Sequence, residues 1–96
     1  MMRTYQEIGW NEDKNQQLRS TRGVGFEDVI AAIEAGRVLD DIEHPHEERK
    51  GHQRLLVVDI NGYACVVPYV RQQEQMFLKT IYHSRAMQKR YMEKRS

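Results

Sequence analysis

The amino-acid sequence predicts an α+β domain from three observations. Apolar residues recur at spacings of three and four around Val29, two strand-like runs flank Asn61-Gly62, and a closing segment carries a narrow apolar stripe. With 96 residues, 40% apolar and 30% charged, the chain reads as a single domain over 1–96, burying roughly 60% of its unfolded surface beneath a highly charged exterior. No run of apolar residues reaches membrane length and no signal peptide opens the chain. The lone cysteine, Cys65, lies in an apolar run and reads as a small buried hydrophobe, so a cytoplasmic location without membrane contact is expected.

Asn11 is suited to cap a first helix near 11 to 21, with Glu12 and Asp13 placed where the helix dipole favours acids. Its apolar content is little more than Trp10 and Leu18, through which it must lean on another surface. Arg22-Gly23-Val24-Gly25 breaks it. Phe26, Val29, Ile30 and Ile33 then mark a second helix, with Gly25 at the N-cap, Asp28 at the third position and Gly36 just past the end. Arg37 to Glu43 reads as a short strand, and Glu43 to Gln53 as a polar loop.

Leu55 to Ile60 and Tyr63 to Val67 are the arms of a hairpin, because Asn-Gly suits a type I′ turn. A two-residue loop pairs Ile60 with Tyr63, Val58 with Cys65, Leu56 with Val67, and Leu55 with Pro68 near the strand's end. Both faces are apolar, so the sheet should be covered on both sides. After a polar turn from Arg71 to Gln75, Met76 to Tyr82 reads as a further strand. Ser84 caps a final helix to about Glu93, with Met87 and Tyr91 as its stripe. The expected sheet is antiparallel with three to four strands, between two N-terminal helices and one C-terminal helix.

The net charge of +1 hides a strong asymmetry. Eight acids and one base occupy Glu27 to Glu48, whereas six bases and one acid occupy the chain from Lys79 onward. On the predicted strand Lys79 lies between Phe77 and Ile81 with His83 at the same parity, either a phosphate contact or a guard on an edge. Arg85, Lys89 and Arg90 follow, making a compact basic site or a solvated helix face; Arg85 falls in the first helical turn, near backbone N–H groups that favour an anion. His83 is the member able to titrate near neutrality. Arg54 falls opposite Tyr69, as a phosphate clamp or a cation–π pair at the rim. Metal binding by His44, His46 and His52 is set against a solvated loop, which their charged setting favours, so no metal and no cofactor are expected. Asp59 beside the hairpin reads as a turn acceptor. Gly23-Val24-Gly25 lacks the preceding strand and third glycine of a dinucleotide site. Aromatics at 8% speak against base stacking.

Trp10-Asn11-Glu12-Asp13-Lys14-Asn15, Arg22-Gly23-Val24-Gly25-Phe26-Glu27-Asp28-Val29, the valine-rich hairpin, and Ile81-Tyr82-His83-Ser84-Arg85 with a basic helix ending in Tyr91 form a pattern. Over residues 8 to 91 it resembles the BrnT-type toxins of bacterial type II toxin–antitoxin systems. Arg22 stands where that family often has His, and Gly25 where it often has Ser. The resemblance implies a RelE-like fold and a metal-independent ribonuclease that arrests growth by cutting RNA. Its partner would be a ribbon-helix-helix antitoxin, in a hetero-oligomer. Cleavage by attack of a 2′-hydroxyl would place Lys79 and Arg85 on the developing charge and His83 as proton acceptor. Lys14, from the tryptophan block, and Arg22, Arg54, Lys89 and Arg90 would hold RNA phosphates. The competing expectation is a non-catalytic nucleic-acid- or protein-binding module within a repressor complex.

Overall fold

The computed structural model describes residues 7–43 and 53–92, apart from the side chain of Gln72. Over them the chain forms strand β1 (Glu7–Trp10), helices α1 (Glu12–Arg22) and α2 (Phe26–Glu34), and strands β2 (Val38–Glu43), β3 (Gln53–Ile60), β4 (Tyr63–Gln72), β5 (Gln75–Leu78) and β6 (Tyr82–His83). It ends in helix α3, one α-turn (Arg85–Met87) continued in π-helical geometry (Gln88–Met92).

The β3–β4 hairpin organises the sheet, and its register is the expected one: Ile60 opposite Tyr63, Val58 opposite Cys65, Leu56 opposite Val67, Arg54 opposite Tyr69. Asn61 and Gly62 both take positive φ, as a type I′ turn requires, and the Gly62 N–H donates to Asp59 Oδ1 at 2.9 Å. β2 pairs antiparallel with the outer edge of β3. The opposite edge of β4 is shared, with β6 against Cys65 and Val66 and β5 against Tyr69 to Gln72.

Alternation along these strands divides the core. Cys65, Val67 and Tyr69 of β4 and Leu56, Val58 and Ile60 of β3 pack with Leu18 of α1 and with Phe26, Val29 and Ala32 of α2. On the other face Val57, Ala64 and Val66 meet Leu39, Leu55, Met87, Tyr91 and Met92. The sheet is therefore covered on both sides, as its apolar faces require. Among the described residues no helix is long and apolar enough to cross a membrane.

Three expectations about the sheet are corrected. Over the described residues it has six strands and is mixed, because Glu7–Trp10 pairs parallel with β5; four residues with a glycine among them have no period of their own, and the edge of β5 makes them a strand. The polar stretch from Arg71 is strand up to Gln72, with only Gln73-Glu74 turning, Gln73 at positive φ. Pro68 consequently lies inside β4 rather than near its end. The segment from Met76 to Tyr82 is broken. Residues 79–81 leave the ladder so that Ile81, fully buried, can enter the core. The break falls beside Pro68, whose carbonyl accepts the Lys79 N–H at 2.8 Å.

The helix junction is set by one polar side chain. Asn15 is 1% exposed; its Oδ1 accepts the Phe26 N–H at 2.7 Å while its amide donates to the Glu27 carboxylate. Gly25 is required beside it, since a Cβ there would stand 2.8 Å from Asn15 Oδ1 and 2.7 Å from Arg19 Nε. Asp28 accepts the Gly25 N–H at 2.9 Å and fixes the first turn of α2.

Candidate functional site

The segment Ile81 to Lys89 builds the site because its two ends are anchored differently. Ile81 is sunk in the core on one side of the break. On the other, Ser84 Oγ accepts the Met87 N–H at 3.2 Å and starts α3. Gln88 then ties α3 back to the hairpin, accepting the Ala64 N–H at 2.8 Å. Between these anchors β6 presents His83 beside Cys65 in the register, and the imidazole stacks on the exposed ring of Tyr63 with centroids 4.8 Å apart and planes 25° apart.

The result is a hollow of about 550 Å³ lined by Tyr63, His83, Ser84, Arg85, Gln88 and Lys89. It brings together one imidazole, one guanidinium and one ammonium in an opening lined also by an aromatic ring, a hydroxyl and a carboxamide. A phosphodiester fits that donor set: two cations offset its charge, and the imidazole adds a nitrogen donor or acceptor beside them.

Three of the eight sequence-derived site residues, His83, Arg85 and Lys89, therefore share one hollow. Lys79 and Lys14 share another, of about 650 Å³, with Asn11, Asp13, Gln17, Phe77 and Leu78. The expected common face of Phe77, Lys79 and Ile81 does not exist, since Phe77 is 42% exposed and Ile81 is fully buried. Arg54 does pair with Tyr69, but both are held by Asp41. Arg54 Nε lies 3.0 Å from Asp41 Oδ1 and the Tyr69 hydroxyl donates to the same carboxylate. Asp41 raises the guanidinium's proton affinity, and burial, followed by Asp41, pushes the phenol up to about 12. Arg22 ends α1, exposed, and lines neither hollow. Arg90 lies over the Tyr91 ring, 5.9 Å from its centroid. His44, His46 and His52 lie outside the described residues.

Much of the acidic run is engaged internally. Tyr91 donates to Asp40, which lowers the carboxyl's pKa and raises the phenol's. Glu27 is held near 2 by Arg19 and then Asn15, and Asp28 serves α2. Cys65 is buried, and desolvation pushes its thiol up to about 11, which makes it a packing residue.

No protein-family model, curated protein or solved structure matches the chain. The site therefore stands on its own geometry. Sequence reasoning missed Tyr63, Ser84 and Gln88 as lining residues. The signal for Tyr63 was present in the hairpin register, which sets it just past the turn at the mouth of the strand pair. That β6 lies beside it depends on the break at Lys79 to Ile81, a long-range packing event.

Proposed function

We propose that this chain is the toxin component of a bacterial type II toxin–antitoxin pair, a RelE-like, metal-independent endoribonuclease of the BrnT type, neutralised by a ribbon-helix-helix antitoxin. The observation that carries the reading is the hollow in which His83, Arg85 and Lys89 converge beside Tyr63. The motif resemblance supplies the reaction class.

In that reaction the RNA's own 2′-hydroxyl attacks the adjacent phosphorus. His83 takes the hydroxyl proton as the 2′-oxygen–phosphorus bond forms. Arg85 faces the charge that develops on the non-bridging oxygens. The phosphorus–5′-oxygen bond breaks, water protonates the leaving oxygen and the resulting hydroxide takes the proton held by His83, and a 2′,3′-cyclic phosphate and a 5′-hydroxyl result. Lys89 holds a neighbouring phosphate. Lys79, which the resemblance places on the developing charge, lines the adjoining hollow and in this reading binds the strand.

Expression without a partner should arrest growth, and the purified chain should cut single-stranded RNA. His83→Ala should slow cleavage about 10²- to 10⁴-fold, the usual contribution of a positioned acid or base, and Arg85→Ala should slow it by a comparable factor. Wild-type rates in both variants would refute the assignment. The second reading, a binding module, is favoured by the hollow's single imidazole, with no carboxylate in the lining to act as its acid or base partner. RNA binding by the wild-type chain without any cleavage would select it.

A further inference from the structure

Among the described residues, Val38, Tyr63, Phe77 and Tyr82 are the large hydrophobic side chains left exposed. Three of the four are aromatic, and these three lie on β4, β5 and β6 among Lys79, His83, Arg85 and Lys89. A low aromatic content speaks against base stacking; the placement of these rings reverses that inference.

Phe77 is the most informative of them. Its partners in the sheet are Val70 on one side and Gly9 on the other. A Cβ on Gly9 would stand 3.7 Å from the ring, so the ring has no side chain of Gly9 to cover it. The Lys79 ammonium lies 5.4 Å from its centroid, and Lys14 lines the same hollow, as do the amides of Asn11 and Gln17 and the carboxylate of Asp13. Two cations, a part-exposed ring with Lys79 over it, and hydrogen-bonding side chains, among them Asn11, whose Oδ1 already accepts the Lys14 N–H, form a set that fits a nucleotide: ring on base, cations on phosphate, amide donors on the base edge.

We propose that this hollow is a second subsite for single-stranded RNA, in which a base stacks on Phe77 and its phosphate lies between Lys14 and Lys79. The proposal rests on the reading of RNA as the substrate. Lys79 and His83 are four residues apart, at most about 14 Å along an extended chain, so a few nucleotides bridge the subsite and the His83 hollow. The separation of Lys79 from His83 and Arg85 is thereby explained: it holds the strand beside the scissile phosphate. Because the Phe77 face is usable only by an unstacked base, the subsite selects single strands over duplex.

The test uses a fluorescein-labelled 2′-O-methyl oligouridylate of about ten nucleotides, an RNA strand whose 2′-oxygen cannot attack, with its duplex and a dinucleotide as comparisons, followed by anisotropy. The wild-type chain should bind the long single strand more tightly than either. Phe77→Ala should weaken it about tenfold and erase the preference over duplex, while Phe77→Trp keeps it. Lys79→Gln should weaken long single strand and duplex alike and lower the salt slope by about one. Equal binding by wild type and Phe77→Ala would overturn the subsite and leave the ribonuclease reading standing. Absence of binding by the wild-type chain would instead defeat the reading itself, and the subsite with it. If Phe77→Ala abolished only self-association at high concentration, the ring would be a protein contact and the proposal wrong.

Discussion

Individual side chains hold the first helices where composition alone would not. Asn15 occupies the buried position of α1 that an amphipathic stripe would give to an aliphatic residue, and it satisfies the Phe26 N–H inside the core. Losing such a partner for a buried backbone donor costs about 1–3 kcal/mol. Glu27, bonded to both Arg19 and Asn15, has its carboxyl drawn from the ordinary 4.5 to about 2. The folded state therefore binds that proton more weakly than the unfolded one. The stability this contributes is complete above about pH 4.5 and is lost as the pH falls towards 2. Glu27→Gln should accordingly flatten the dependence of Tm on pH across that window, measured by thermal unfolding followed by circular dichroism. An unchanged acid limb would mean that the Arg19–Glu27 pair is not formed in solution.

At the level of elements, the β3–β4 hairpin is the strongest locally encoded unit. Gly62 has φ +85° with open space around it, so the cost of a side chain there is conformational, about 1–2 kcal/mol. Gly62→Ala should lower Tm by roughly 4–8 °C per kcal/mol for a domain of this size, and a calorimetric scan checks it. The hairpin, its register, α1, α2 and the Ser84 cap could all be read from the sequence, because each depends on contacts within a few residues. β1 could not be read, since its strand character comes from β5. Nor could the break after Leu78, where the need to bury Ile81 overrides the alternation of Phe77, Lys79 and Ile81. The same break accounts for what was unreadable in the site: proximity in sequence placed Lys79 with His83, whereas the buried Ile81 between them sends the two into different hollows.

Across the whole molecule the charge asymmetry acquires a division of labour. Asp28, Asp40 and Asp41 are bonded within the fold, as is Glu27, while Arg85 and Lys89 line an open hollow and Lys79 another. Among the described residues these four acids thus have partners inside the fold while these three bases line open hollows, which concentrates positive charge towards the β5–β6 edge. Trp10, the sole tryptophan, packs on Phe26 with centroids 5.5 Å apart and so joins β1 to α2. Its fluorescence should lose native character at the same denaturant concentration as the circular dichroism of the helices and sheet, as expected of a single cooperative unit. An earlier fluorescence transition would show that β1 detaches on its own.

The parallel pairing of β1 with β5 has a consequence for biosynthesis. Gln75 donates to Glu7 across 68 residues, so the strand made first is among the last to find its neighbour. At about 5–20 residues per second, a ribosome needs several seconds to deliver β5 after β1 has been made. During that interval Trp10 and Ile8 have no sheet to join, and the Lys14 hollow, which needs Phe77 and Lys79 for its far wall, does not yet exist. Each newly made molecule thus passes through a period in which helix α1 is complete but the hollow beside it is not.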